Sequence, residues 1–395
     1  MFISVIGGLV GSIVGVVTGM IPGLHTNTIA LLVLSLFMFG VEISQDFALP
    51  FMVCMILVHS FVDYIPSIFF NAPSSDTVLS VLPGHRLLNR GEGYLALQNT
   101  VIGGLISAIL FLPLIPLFIV VANLFDSKLL VAPFLLIIST WLILSELELR
   151  NIIWATLVFL LSGIVGIVSL NSLFVGDALF PLLTGFFGLS VMLISLRNEI
   201  NLPPQEIFDE IELFNLSNVF AGLFAIISGS FMILIPSLGP TQAATISRGA
   251  LKGSKNFLKV MGGINTLDTI LSIIMLYLIG SARSGVMVVM QQTYSFTQHS
   301  YLLMGFSAAL GLSLGAAITL VLAKKVLFLI KKIKYKHITI GMLAFLVGLV
   351  GWFTGIRGLF LMSIATTIGI LAQLVGVRKV HLMGVLAMPT LLNYS

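Results

Sequence analysis

Charged side chains are scarce in this sequence. Asp, Glu, Lys and Arg make up 9% of its 395 residues, whereas 58% are hydrophobic; a soluble domain carries about 25% charged residues. The composition therefore excludes an ordinary soluble protein. At about 20 apolar residues per crossing of a roughly 30 Å hydrocarbon layer, the chain is long enough for on the order of ten membrane-embedded segments. We predict an all-α, multi-pass protein of the plasma membrane, embedded in the lipid bilayer.

Cysteine is nearly absent, and so are the motifs of most enzymes. The single cysteine, Cys54, excludes an intramolecular disulfide and a cysteine-rich metal site. Because the sequence has no phosphate-binding loop, metal-ligand cluster or nucleophile elbow, we expect neither a cofactor nor an enzymatic activity. The alternative is an intramembrane hydrolase, for which His59, Ser60 and Asp63 are the compact set that resembles a triad.

Twelve apolar stretches predict helices, and some are too short to span the bilayer alone. The short ones flank Pro/Gly breaks at residues 20–27 and 235–242, and such backbone is tolerated in a membrane only when it is buried in protein or lines a cavity. The most polar segment of the sequence separates two apolar halves, so we predict three parts. They are a first membrane repeat at 1–197, an acidic linker at 198–218 and a second membrane repeat at 219–395. The stretches are 3–18, 29–41, 51–70, 101–125, 130–145, 152–170, 178–196, 219–235, 260–280, 301–330, 338–353 and 359–377.

The two halves are similar in sequence, which indicates a duplication. A shift of 214 residues places Pro22 on Pro236, and a shift of 192 places Asp76 on Asp268. The loop after the first break has no Lys or Arg, whereas its counterpart is basic, so the positive-inside tendency places the two on opposite sides. This pattern predicts an inverted-topology repeat with re-entrant or discontinuous helices. The formal net charge of +4 is then explained by basic loops on the cytoplasmic side of the membrane. We therefore expect no nucleic-acid partner.

Small residues recur at every fourth position in the first helix of each half. They are Gly7, Gly11, Gly15 and Gly19, then Ala221, Ala225 and Gly229. Such a face permits close helix contact in lipid. We therefore expect both helices to pack tightly on a neighbour.

Three polar interruptions at membrane depth, 21–28, 71–77 and 235–242, are each predicted to begin a helix. Pro73 and Pro240 fit the first helical position. A helix start presents unpaired N–H groups and the positive end of the helix dipole, so two facing starts hold an anion without a cationic side chain. The alternative is that these polar residues only cap helices. The predicted substrate-binding residues are Pro22, Gly23, His25, Thr26, Asn27, Asn71, Pro73, Ser74, Ser75, Ser237, Gly239, Thr241 and Gln242.

Aspartates in apolar surroundings are the candidates for coupling to a cation. Asp76 and Asp268 occupy matched positions, and Asp63 lies in the apolar run before the second break. A carboxylate inside a membrane is costly, so it indicates a proton carrier or a sodium ligand. The alternative is that an aspartate in a first helical turn stabilises the helix dipole.

Two motifs resemble the large membrane subunit of tripartite tricarboxylate transporters, the TctA family. One is the glycine-rich approach to a Pro-Gly-Leu turn over residues 15–28, and the other is SIFFNAPSSDTVLSVLPGHRLLNRGEGYLAL at 67–97. The resemblance implies a secondary transporter of carboxylate anions that is driven by a cation gradient of Na+ or H+. It also implies two partners, a small membrane subunit and an extracytoplasmic solute receptor. The residues it assigns to the site are Pro22, Gly23, Asn71, Pro73, Ser74 and Ser75.

Together these observations predict alternating access around an anion site near the membrane midplane. The alternative is a translocase of a polyprenyl phosphate, because helix starts that hold a carboxylate also hold a phosphate. Such a site has to open sideways to the bilayer. A structural protein without flux ranks lowest, because the duplicated breaks then serve no purpose. Substrate identity, coupling ion, number of crossings and oligomeric state stay open at this point.

Overall fold

The computed structural model describes residues 2–22, 24, 26–40, 42–74, 76–124, 131–146, 148–170, 178–196, 202–207, 212–234, 240–247, 253–279, 284–332 and 335–394. Every regular element in these residues is helical, which confirms the all-α prediction. The α-helices are α1 (Phe2–Met20), α2 (Thr26–Met38), α3 (Gln45–Val62), α4 (Tyr64–Phe69), α5 (Val81–Leu88), α6 (Gly93–Phe111), α7 (Ile115–Leu124), α8 (Val131–Leu144), α9 (Leu149–Leu170), α10 (Leu179–Leu183), α11 (Ser190–Ser195), α12 (Leu216–Leu234), α13 (Pro240–Ser247), α14 (Ser254–Ile279), α15 (Gly285–Thr293), α16 (Gln298–Lys332), α17 (Tyr335–Leu374) and α18 (Gly384–Tyr394). A π-helix, Thr184–Leu189, joins α10 to α11, and 3-10 turns lie at Val78–Ser80, Leu112–Leu114 and Lys379–Met383.

Seven helical segments in this part of the chain are long and apolar enough to cross a membrane. Each meets the length of about 20 residues that a crossing needs. Four shorter apolar helices accompany them. The chain is therefore a multi-pass membrane protein. The seven segments are Phe2–Met20, Gln45–Phe69, Gly93–Phe118, Leu149–Leu170, Ser254–Tyr277, Gln298–Ile330 and Thr339–Leu374.

Two of the three predicted breaks have the expected helix boundaries. α1 ends at Met20, just before Pro22, and α2 begins at Thr26. α13 begins at Pro240, the proline that was predicted to occupy the first helical position. The apolar pattern also predicted an interruption between 353 and 359, and α17 has a non-helical residue there, Gly355, with φ of 64°.

The prediction for Pro73 is wrong, because this proline begins no helix. Residues 72–74 are non-helical, and helical backbone resumes only at the 3-10 turn that starts at Val78. Asn71 has a left-handed φ of 54°, a conformation that ends a helix. Hydroxyl hydrogen bonds then hold residues 74–77 in a turn: Ser74 N donates to Thr77 Oγ1 at 3.2 Å.

The glycine face of α1 packs directly on the backbone of α3, as predicted. A Cβ added at Gly15 lies 2.6 Å from the Met55 carbonyl oxygen, and one at Gly11 overlaps the Phe51 carbonyl oxygen. Only glycine permits such an approach. The close contact fixes α3, which carries Asp63 at its C-terminal end.

A second glycine contact joins α6 to α14, which brings the two halves of the chain together. A side chain at Gly103 meets the Lys259 carbonyl group, and one at Gly262 meets that of Thr100. Farther along α14, Asn265 Nδ2 donates to the Ser60 carbonyl oxygen of α3 at 3.0 Å. The polar centre of α14 is therefore held against the end of α3.

Two helix starts of the first half have counterparts at the predicted offset of 214 residues: α1 begins at Phe2 and α12 at Leu216, and α2 begins at Thr26 and α13 at Pro240. The offset of 192 does not pair equivalent elements. Asp76 lies in the turn after α4, whereas Asp268 lies in the middle of α14. Inverted topology remains a prediction, as does the division into repeats and linker.

A partly buried ionic cluster joins the end of α8 to the turn after α17. Arg378 Nε lies 2.7 Å from Glu146 Oε1, and His381 Nε2 lies 2.8 Å from the same oxygen. Burial alone raises the pKa of Glu146, but the hydrogen bonds and charge of its partners outweigh burial, so the pKa is lowered from its usual 4.5. The carboxylate therefore stays ionised and bound at neutral pH.

Glu146→Gln is expected to destabilise the protein by about 1–3 kcal/mol near pH 7, the range of hydrogen bonds to charged groups. A lowered folded-state pKa stabilises the fold above the unfolded pKa, and this contribution is lost as pH falls through the folded pKa. The difference in Tm between wild type and variant should therefore narrow below pH 4.5. Thermal unfolding across that range measures it, with Glu92→Gln as a control, because Glu92 pairs with half-exposed Lys255 and matters less. A difference that is constant with pH would contradict this assignment.

Candidate functional site

Asp63 lies at the single-residue junction between α3 and α4, and hydroxyl groups of the second break hold it. Its side chain is buried. Ser74 Oγ donates to Asp63 Oδ2 at 2.5 Å, and Thr77 Oγ1 donates to the same oxygen at 3.4 Å. Ser67 Oγ is 2.6 Å from Thr77 Oγ1 and donates to the Asp63 carbonyl oxygen at 2.8 Å. Ser74 therefore contacts the aspartate that was predicted to bind a cation.

A polar cavity of about 80 Å³ adjoins this network. The three aspartates predicted for cation coupling, Asp63, Asp76 and Asp268, all line it. They come from the end of α3, the second break and the middle of α14, so the fold gathers them from distant parts of the sequence. Carboxylates at membrane depth mark ion and substrate pathways.

The starts of two helices also line the cavity. Thr26 and Asn27 belong to the first turn of α2, and Ser284 and Val286 to the start of α15. Asn27 Oδ1 accepts a hydrogen bond from Val286 N at 3.2 Å, so this side chain contacts the facing helix start. Ser284 is the N-cap of α15, because its side chain accepts from Met287 N.

The structure adds a helix start that the sequence did not predict. The described start that shares the cavity of the first break is that of α15. Residues 235–239 lie outside the described positions, so a site between the first and third breaks stays a prediction. Thr241 is buried at the start of α13 and does not line the cavity. The sequence feature that could have predicted the start of α15 is GSARSG at 280–285, a run of small and polar residues between two apolar runs.

Sequence reasoning also missed a polar stripe on α14. Asn265, Thr269 and Ser272 line the cavity beside Asp268. Their spacing of i, i+3, i+4 and i+7 places all four on one face of the helix. The same spacing on α3 brings Ile56, His59, Ser60 and Asp63 to the cavity. This periodicity was visible in the sequence.

Several predicted binding residues lie elsewhere. Asn71 and Pro73 lie against Gly188 of the π-helix, since a Cβ at Gly188 is 3.3 Å from the Asn71 carbonyl oxygen and 3.8 Å from Pro73 Cδ. Pro22 is buried outside the cavity lining. Six further predictions fall on parts of the chain outside the described positions: Gly23, His25, Ser75, Ser237, Gly239 and the side chain of Gln242.

Two members of the triad-like set have described hydrogen bonds to residues outside it. Ser60 Oγ donates to the Leu57 carbonyl oxygen at 2.8 Å, a bond within its own helix. His59 Nδ1 is 3.0 Å from Thr18 Oγ1 of α1. A nucleophile needs its base within hydrogen-bond reach, and these bonds direct the two side chains to other partners.

The volume limits what the cavity holds in this conformation. About 80 Å³ is room for roughly two or three waters at about 30 Å³ each. It fits a small cation or a proton with its waters. An organic anion requires the helix starts around it to move apart.

A multi-pass helical protein with carboxylates and facing helix starts around one polar cavity has the features of a membrane transporter. A family model described as the tripartite tricarboxylate transporter TctA family matches residues 5–384. The chain belongs to this family, which confirms the resemblance carried by residues 15–28 and 67–97. A protein of Methanocaldococcus jannaschii, uncharacterized protein MJ1079, is 30% identical over 386 residues, covering 94% of each chain. No solved structure matches the chain significantly.

Proposed function

We propose that this protein is a secondary-active transporter of an organic carboxylate anion, the class that the description of its family names. The observation that supports this most directly is the convergence of Asp63, Asp76 and Asp268 with the starts of α2 and α15 in one cavity. We further propose that it acts in the plasma membrane with a small membrane subunit and an extracytoplasmic receptor, the partners that a tripartite system implies.

The charges around the cavity support coupling to a cation. Two unit charges about 5 Å apart repel by about 3 kcal/mol at an effective dielectric constant near 20. Three aspartates and an anionic substrate therefore oppose each other unless a cation is present. Na+ or H+ on the aspartates removes that repulsion, so cation binding comes first and the carboxylate follows. Downhill movement of the cation then drives uptake of the anion.

The helix starts supply the groups that attract the substrate. α2 and α15 direct the positive ends of their dipoles at the cavity, and Thr26, Asn27 and Ser284 provide polar side chains. Alternating access consists of separating these starts first on one side of the membrane and then on the other. The 74–77 turn, which is bonded to Asp63, couples cation binding to that movement.

Uptake into proteoliposomes tests this function. The chain is reconstituted alone and with its small subunit and receptor, and uptake of labelled di- and tricarboxylates is measured with and without Na+ or H+ gradients. We expect gradient-dependent accumulation of a carboxylate. Flipping of a labelled polyprenyl phosphate without any carboxylate uptake would contradict the proposal and favour the lipid alternative.

Replacing Ser74 and Ser75 together by alanine is expected to abolish uptake while folded protein remains in the membrane. Ser74→Ala removes the shorter of the two hydroxyl hydrogen bonds to Asp63 and loosens the turn around the carboxylate. The control is Ser313→Ala with Ser363→Ala, two exposed serines whose hydroxyls bond only to their own helices. Wild-type flux in the Ser74/Ser75 variant would remove this turn from the site.

A further inference from the structure

A second cavity, of about 250 Å³, is lined in part by the 3-10 turn that follows the second break. Asp76 lines the first cavity, whereas Val78 and Leu79 line the second, and no described residue lines both. Parts of α5, the π-helix, the start of α14 and the turn after α17 complete its wall. This second cavity is therefore a separate compartment that adjoins the candidate site.

The charged side chains in the described lining of the second cavity are all basic. Its described lining contains Arg86 and Lys379 and no carboxylate. Lys379 is 8% exposed, and its Nζ atom has no hydrogen-bond partner among the described residues. The neighbours of Lys379 differ: Arg378 and His381 both bind Glu146. The turn thus places the side chains of Arg378 and His381 on a carboxylate, whereas Lys379 lines the cavity.

An ammonium group that is buried without a partner is costly. Taking a charge out of water costs several kcal/mol unless an opposite charge or hydrogen bonds compensate. Burial lowers the pKa of nearby His85 to about 4, and the charge of Lys379 contributes to that shift. The imidazole is therefore neutral at pH 7 and adds no negative charge to balance the ammonium. Buried polar groups without partners in a native protein call for an explanation such as a bound ion.

We propose that the second cavity binds a small anion that carries carboxylate or phosphate oxygens. Burial lowers the pKa of Lys379 from its usual 10.5 to about 7, and an anion in the cavity keeps this amine protonated. Exposed Arg86 lies at the rim. Ser254, the first residue of α14, brings a helix start to the same wall. The volume is below the roughly 300–1,000 Å³ of sites for drug-sized ligands, which favours a small anion.

The location suggests what this anion site does. Lys255, next to Ser254, belongs to the basic segment that the positive-inside tendency assigns to the cytoplasm. An anion in this cavity therefore lies beside the segment that this tendency assigns to the cytoplasm. The site does not depend on the proposed substrate site, because binding to it is measurable without transport.

Thermal unfolding with added anions tests the proposal. The purified protein, in nanodiscs of phosphatidylcholine, is titrated with citrate or inorganic phosphate against sodium chloride of equal ionic strength. At about 100 times the Kd, a ligand should raise the Tm of the wild type by about 3 °C. Lys379→Met should weaken this binding by at least about tenfold, while Lys379→Arg retains it. Lys336→Met removes an exposed lysine and should bind like the wild type.

Two further measurements decide between the remaining outcomes. Because Lys379 is buried without a partner, Lys379→Met should be at least as stable as the wild type when no anion is present. A strongly destabilised Lys379→Met would instead indicate a structural partner and overturn the proposal. Repeating the measurement in nanodiscs that contain phosphatidylglycerol shows whether the bound anion is a lipid headgroup or a soluble anion. A lipid headgroup raises the Tm of the wild type, but not of Lys379→Met, without added citrate or phosphate. Equal responses of wild type and Lys379→Met to citrate, phosphate and anionic lipid would also overturn it.

Discussion

Asp63→Asn is expected to reduce gradient-driven carboxylate uptake by at least about 100-fold. A carboxylate about 4 Å from a cation contributes about 4 kcal/mol at an effective dielectric constant near 20, which is more than a hundredfold in binding. Asparagine has the same shape and its Oδ1 atom still accepts from Ser74, so the turn and the fold should persist. Initial rates in proteoliposomes, with and without the coupling gradient, measure the effect.

Asp46→Asn is the matched control for this variant. Asp46 lies in the first turn of the same helix, α3, and its half-exposed side chain is 3.3 Å from His299. An exposed pair of this kind contributes little, so uptake should stay near wild type. Gradient-dependent uptake by Asp63→Asn at the wild-type rate would show that the coupling ion binds elsewhere.

Local sequence features predicted the parts of the fold that depend on local backbone chemistry. Proline and glycine at 22–23 located the first break, because proline lacks a backbone N–H and the pair disfavours a continued helix. Glycine at every fourth position predicted the face of α1. The three aspartates stood out because charge is costly in an apolar run. In each case the free-energy cost or gain depends mainly on the residue type and its neighbours in the sequence, so it can be read without knowing the fold.

The pairing of elements could not be predicted in the same way. Asp76 and Asp268 lie in similar six-residue segments, but Asp76 follows the left-handed Asn71 whereas Asp268 lies within a long helix. Nothing near Lys379 in the sequence distinguishes it from Arg378. Their difference depends on Glu146, 232 residues before Arg378, which binds one and not the other. Such choices follow from tertiary packing.

The second large effect is expected from Gly11→Leu, which should nearly abolish folded protein in the membrane. A Cβ at Gly11 already overlaps the Phe51 backbone, so leucine has to push α1 away from α3. Overpacking by a methylene costs about 1–3 kcal/mol, and leucine adds a whole side chain against an immovable backbone. The yield of monodisperse protein in size-exclusion chromatography measures the loss, which should be at least about tenfold.

Gly305→Leu is the control for this effect, because a Cβ at Gly305 of α16 meets nothing within 4 Å. Leucine there faces open space and should leave the yield near wild type. Adding Phe51→Ala to Gly11→Leu should not restore folding, since the obstacle is the carbonyl oxygen of residue 51 and not its ring. Recovery by that second substitution would show that the helices are held apart by side chains. The close backbone contact that positions Asp63 would then be wrong.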